Sequence, residues 1–380
     1  MAEHCSPTFA ELATELGFSC EEAGGLVEFR GPFALENWTL PVLELTIVVG
    51  AVLALWFAVA RLRRKGDPTD LVLWFGATAY LFVIEPPLYF PAAFGIEDHV
   101  DTMFAHNVFT VDFLWGRLPL YIVAIYPLMA TLAFGLVRML GVFRRYGTLV
   151  GAACVGFVHH AFYEIFDHLG PQLRWWEWSV DNPINQPMFD AVPMGSVVVF
   201  AALWPMSLAF CVQYFVGRQV EAGRHFGGVE LVWRTLVIGL LASVGTFLLP
   251  LPATVIGLAG DTVRGVVYAL ELLTLSVVAG VALVRRWRQL RDGAAPVEYV
   301  NRFVQRYSVV YLLVFAVLWI ASLPAYFDAV DGQTANGDPI GNLWYTLACF
   351  VVATLTVLAT VTLPRNAPST PTTAAAAVPG

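Results

Sequence analysis

The chain has 380 residues, 58% of them hydrophobic and 13% charged, and its mean hydropathy is +0.68. Such values exclude an ordinary water-soluble domain and mark a polytopic membrane protein. The net charge of −8 sums an acidic face and a basic face, so it implies no nucleic-acid partner.

Residues 1–39 lack the basic start and apolar core of a signal peptide and read as an extracytoplasmic tail. Ser6 and Pro7 open a short helix there, with Phe9, Leu12 and Leu16 on one face ahead of Gly17. Cys5 and Cys20 share the tail, either paired in an oxidising compartment or as two free thiols. Nine apolar runs follow, each meeting the requirement of about 20 residues at 1.5 Å rise. They run from Leu40 to Ala60, Leu71 to Pro91, Leu118 to Leu140, Thr148 to Asp167, Met194 to Val216, Glu230 to Pro250, Thr262 to Val284, Ser308 to Phe327 and Leu343 to Leu363. The expected fold is an all-α transmembrane bundle over 40–363, with a low-complexity, disordered cytoplasmic tail over 364–380. A polar cavity is expected in 71–216 and a supporting half in 230–363.

Basic residues alternate between loops, and 17 of the 21 fall on one side. That side is expected to be cytoplasmic, placing the amino terminus outside, the carboxyl terminus inside and the chain in the cell membrane. The same residues suit contact with anionic membrane lipid.

The second run ends in VIEPPLYFP, where Pro86 and Pro87 are expected to kink or end the helix at Glu85. The loop after it offers His99, His106 and Asp112, and Arg117 precedes the third run. Pro127 and Pro205 suggest further kinks. The most informative stretch is GFVHHAFYEIFDHLGPQLRWWEW, from Gly156 to Trp178. His160, Glu164 and His168 recur every four residues and Asp167 lies seven after His160, which predicts one shared helical stripe beside a second line of His159 and Tyr163. Ionisable groups at membrane depth usually face a bundle interior or a watery cavity. By helical rise, Glu85, His160 and Glu164 lie about 21, 18 and 24 Å along their spans, a layer at one depth. Trp175, Trp176 and Trp178 suit the headgroup region. Later in the chain, Glu271 stands mid-span with Arg264 and Tyr268 on its face.

Three kinds of chemistry fit these residues. In the first, an acid among Glu85, Glu164 and Asp167, with His160, protonates a double bond of a hydrophobic small molecule, while Tyr163, Trp176 and Trp178 stabilise the cation and Arg117 and Glu271 help bind it. In the second, His160, Glu164 and His168 bind a metal, completed by His99, His106 or Asp112. In the third, the residues are structural: His159 and His160 satisfy backbone or Tyr partners, Glu85 pairs with Arg117 and Glu271 with Arg264. A transporter or lipid-binding subunit using the same cavity is the reading from another class. No nucleotide loop or haem-attachment Cys-His pair appears, which leaves any cofactor unknown.

Glu85 with its prolines, then RLPLYIVAIYPLM from Arg117, EIFDHLGPQLRWWEW, and DAVPMGSVVVFAALWP from Asp190 follow one another in an order that resembles membrane-bound carotenoid hydratases of the bisanhydrobacterioruberin hydratase type. The resemblance spans roughly Leu71 to Pro205; Gly195 and Ser196 stand where that family has Asn after its Val-Pro turn. It implies water addition to, or isomerisation of, an isoprenoid double bond, with Glu85 and Asp167 at the matching positions. HAFYE, from His160 to Glu164, is similar to the His-x-x-x-Glu of sterol isomerase-like membrane proteins and implies the same kind of proton transfer.

Overall fold

The computed structural model describes residues 5–21, 24–97, 100–297 and 299–363. The tail 364–380 and His99 lie outside the described residues. Among the described residues, nine helices are long and apolar enough to cross a membrane. They are Thr39–Lys65, Thr69–Tyr89, Leu120–Met139, Val142–Asp167, Ser196–Glu221, Gly228–Ala259, Asp261–Arg291, Arg302–Phe327 and Leu343–Val361, each overlapping one of the apolar runs.

Apolarity alone does not say which helix is central, but burial does. The most apolar window of the third span is 89% buried, those of the fourth and fifth 78%, and that of the seventh 28%. The third span packs on the first, second and fourth, and the fourth on the fifth, seventh and ninth. Of the later helices, the seventh and ninth pack directly on the fourth, and the sixth on the second and fifth. Gly156 permits the fourth and fifth spans to touch closely, because a Cβ there would stand 2.5 Å from the Ala202 carbonyl oxygen.

Aromatic donors tie helices through backbone carbonyls. Tyr311 and Trp319 of the eighth span donate to the carbonyls of Phe162 (3.0 Å) and Ile165 (2.9 Å) in the fourth. Tyr307 donates to that of Thr46 (2.6 Å), and Trp74 to that of Ala51 (3.0 Å). At the basic end, Arg138 reaches Asp67 at 2.7 Å and Asp70 at 3.1 Å, while Arg61 reaches Asp67 at 2.8 Å. Burial works against the Asp67 carboxylate, but Arg138, Thr69 and Arg61 outweigh it and hold its pKa well below the usual range.

Three sequence expectations are refined or corrected here. First, the chain is mostly helical as expected, and its connections also carry short strands: β1 (Val27–Phe29), β2 (Phe104–His106), β3 (Val111–Phe113), β4 (Leu118–Pro119), β5 (Trp176–Trp178), β6 (Met188–Phe189) and β7 (Val192–Pro193). β2 pairs antiparallel with β5, β3 lies between β1 and β4, and β6 pairs with β7. These pairings satisfy backbone groups that buried loops would otherwise leave orphaned. Second, Trp175 and Trp176 are packed inside the chain rather than presented to headgroups: they are 0% and 3% exposed, with Trp175 donating to Thr39 Oγ1 at 3.0 Å. Third, the second span continues in helical form through Pro86 and Pro87 to Tyr89, so Glu85 keeps helical geometry. The two prolines withhold amide donors from the Phe82 and Val83 carbonyls, yet the helix closes only at Tyr89.

The amino-terminal helix, Pro7–Glu15, starts as expected, with Ser6 Oγ accepting from the Phe9 amide. It lies against β2 and β5, and a disulfide joins Cys5 to Cys20.

Candidate acid-base site

Beside β2 and β5 lies a cavity of about 40 Å³ among the second, third, fourth and fifth spans. That volume suits roughly three waters at about 10–15 Å³ each. Glu85 comes from the second span, Tyr126 from the third, Tyr163 and Asp167 from the fourth and Ser196 from the fifth, while His106, Trp176 and Trp178 come from the strands. The half-exposed rings of Phe104, Tyr163, Trp178 and Phe200 form its open side.

The two carboxyl groups are built alike. Glu85 Oε1 accepts from the Tyr126 hydroxyl, and Asp167 Oδ2 accepts from Ser196 Oγ at 2.6 Å. Glu85 Oε2 and Asp167 Oδ1 are buried without a hydrogen-bond partner. A buried carboxyl oxygen with no donor is costly unless it carries a proton or meets a ligand. Phe166 stacks between these groups and the core, its ring 4.7 Å from that of Trp176 and 5.8 Å from that of Trp175. His106, opposite Trp176 in the strand pair, has Nδ1 3.1 Å from the Tyr121 hydroxyl. Burial pushes the His106 pKa down to about 3, so its ring is neutral.

The predicted stripe divides in two. At about 100° per residue, Tyr163 and Asp167 form one line, and His160, Glu164 and His168 another. The first line faces the cavity and the second faces the ninth span. His160 donates through Nδ1 to the Val197 carbonyl (3.0 Å), and its Nε2 accepts from the Tyr345 hydroxyl (2.6 Å). His168 accepts the Asn342 amide at Nδ1 (3.1 Å), and its Nε2 stands 3.2 Å from Glu164 Oε2 without a hydrogen bond between them. His160 and Glu164 therefore do not share the pocket with Glu85. Both His160 nitrogens are engaged, and among the described residues no group of three His, Cys, Asp or Glu side chains is placed to hold an ion.

Two expected ion pairs are absent among the described residues. Arg117 donates to the Tyr89 carbonyl at 2.8 Å and covers the Phe9 ring at 3.6 Å, fastening the second span to the amino-terminal helix rather than meeting Glu85. Arg264 donates to the carbonyls of Pro183 (3.2 Å) and Gln186 (3.0 Å), and neither oxygen of Glu271 has a hydrogen-bond partner. Arg117 and Glu271 do not line the cavity. The expected backbone role of the adjacent histidines is present, with His159 Nδ1 donating to the Ala201 carbonyl at 2.7 Å.

Set against known protein families, characterised proteins and solved structures, the chain matches none. The site is accordingly read from its own chemistry.

Sequence reasoning missed Tyr126 and Ser196. Nothing in the sequence separates Tyr126 from the other tyrosines. Ser196 was visible only as a departure from the resembled pattern, yet it supplies the hydroxyl that holds Asp167. Trp178 also borders a second, polar chamber of about 470 Å³ that includes Glu15, Arg174, Glu177 and Asp338.

Proposed function

We propose that the chain is a multi-pass enzyme of the cell membrane that carries out acid-base chemistry, hydration or isomerisation, on an isoprenoid-like lipid. The observation that carries this reading is the matched pair Glu85 and Asp167. They stand on separate helices, line one aromatic cavity, and each has one oxygen held by a hydroxyl and the other unpartnered. In hydration, one carboxylic acid gives its proton to an alkene carbon, whose π pair forms the new C–H bond. The faces of Tyr163, Trp176 and Trp178 stabilise the resulting cation. Water adds its lone pair to the cationic carbon, and the other carboxylate takes the proton released. In isomerisation that carboxylate removes a proton from the neighbouring carbon instead, re-forming the double bond. The small volume fits water and one end of a chain entering past the half-exposed rings.

The proposed orientation, amino terminus outside and carboxyl terminus inside, is supported by the basic residues gathered in alternate loops. The Cys5–Cys20 disulfide suits an oxidising outer compartment.

The test is mass spectrometry of lipid from membranes containing wild type, Glu85→Gln, Asp167→Asn or Glu164→Gln. The first two substitutions should each lower turnover about 10²-fold or more, whereas Glu164→Gln, outside the cavity, should keep most of it. Unchanged turnover in both Glu85→Gln and Asp167→Asn refutes the assignment. A bound lipid that leaves chemically unchanged from wild type favours a transporter or lipid-binding subunit.

A further inference from the structure

Strand β5 separates the acid-base cavity from the polar chamber. Residues of a strand turn alternately to its two sides, and Trp176 faces the cavity while Glu177 faces the chamber. Trp178, at the end of the strand, lines both, and among the described residues it alone does so. The chamber wall includes the exposed side chains of Glu11, Glu15, Asp181, Gln333 and Asn336, so it opens to water. At about 10–15 Å³ per water the chamber has room for roughly thirty or more, against roughly three in the cavity.

Two indole N–H groups belong to the wall between them. Trp176 Nε1 and Trp178 Nε1 are buried, and neither has a hydrogen-bond partner. The six-membered ring of Trp176 rests against Gly170, where an added Cβ would collide with Cη2, Cζ2 and Cζ3, so the pyrrole end with its N–H lies away from that contact. By contrast, the indole groups of Trp74, Trp175 and Trp319 donate to protein oxygens. A buried donor left unpaired is costly, and a bridging water removes the cost.

We propose that the chamber supplies the water consumed in the acid-base cavity, along a passage beside Trp178 that its ring controls. The inference rests on the hydration reading of that cavity. Each hydration uses one water, and the hydrocarbon core holds none to replace it. A lipid chain entering past the half-exposed rings closes the cavity on that side, whereas the chamber lies just beyond Trp178. The two N–H groups then donate to waters on the way in, Trp178 at the divide and Trp176 inside.

Two measurements on the full chain in detergent test the passage without relying on turnover. Pulsed X-ray radiolysis makes hydroxyl radicals from water where it stands, and peptide mass spectrometry reads the oxidised side chains. Trp176, 3% exposed, should be oxidised about tenfold more than its neighbour Trp175, which is 0% exposed and bonded to Thr39. Equal oxidation of the two overturns the proposal. In the second measurement, Ser196→Cys puts a thiol in the cavity wall. A membrane-impermeant methanethiosulfonate should modify it about tenfold faster once Trp178→Ala is added, and at an unchanged rate with Trp178→Phe, which keeps the barrier. Equal rates in those two proteins also overturn the proposal, and if Trp178→Ala fails to fold, radiolysis of wild type still decides. Turnover that depends on Glu85, with Trp176 no more oxidised than Trp175, refutes the water route and leaves the acid-base reading standing. Oxidised Trp176 in a wild type without turnover does the reverse.

Discussion

Replacing His159 with Phe isolates one backbone bond in the centre of the bundle. Pro205 has no amide hydrogen, so the Ala201 carbonyl, four residues earlier, lacks the donor an uninterrupted α-helix would give it. Ala201 lies in a π-helical stretch, Ser196–Leu203, that leads into Pro205. His159 Nδ1 supplies a side-chain donor to that carbonyl at 2.7 Å. Phenylalanine keeps a ring against Tyr163 (5.7 Å) and Trp204 (5.2 Å) but removes the N–H. Orphaning a buried carbonyl costs about 1–3 kcal/mol, whereas measured interhelical bonds in bilayers average about 0.6 and reach about 1.7 kcal/mol. The overlap of these ranges sets the expected loss at about 1–2 kcal/mol. In a Pro205→Ala background, which restores a backbone donor, His159→Phe should cost less than about 0.5 kcal/mol. Reversible unfolding by dodecyl sulfate in mixed micelles, followed by circular dichroism across all four proteins of the cycle, measures the coupling. If the two substitutions add within about 0.3 kcal/mol, His159 is not compensating for the proline.

Two further outcomes are expected at the strand-covered end. Burial, then Glu15 and Asp338, push Glu177 up to about 7 against the pull of Arg174. Below its ordinary value of 4.5 the group is protonated in both states; between there and about 7 the unfolded chain ionises first, so stability falls as pH rises. The loss has a ceiling of about 3 kcal/mol, reduced by solvent screening because Glu177 is half-buried. Thermal unfolding at about pH 5 and pH 8 should show a smaller pH effect in Glu177→Gln, and an equal effect would contradict the assignment. Separately, the Cys5–Cys20 bridge spans 15 residues, a loop whose closure stabilises by about 3 kcal/mol in the chain-entropy account. Replacing both cysteines with Ser should raise amide exchange over Phe9 and Leu12; unchanged protection there would show that packing alone docks the helix.

The spans were legible because a bilayer imposes a length of apolar sequence that nothing else in the chain imitates. The same property hid the interior, since helices facing lipid and helices facing one another are equally apolar. Trp175 and Trp176 illustrate the difficulty. Their composition matches an interfacial belt, and only the pairing of β5 with β2, across some seventy residues of chain, carries them inward. Glu85 and Asp167 were recognisable as acids out of place, but periodicity could not tell that Asp167 turns away from Glu164, because residues three apart on a helix differ by about 60°. Tyr126 and Ser196 became visible only when the helices carrying them were placed beside those acids. The π-helical turn left no mark beyond Pro205.

The contacts that Tyr307, Tyr311, Trp319 and Trp74 make with carbonyls have a consequence for tolerance to mutation. Each is specified by the residue on one side alone, since every amino acid presents the same acceptor. Substitutions of similar size at Thr46, Phe162, Ile165 and Ala51 keep these links intact, while loss of the ring on the other side removes them. The bundle's cross-bracing is thus vulnerable at the donors and indifferent at the positions they reach.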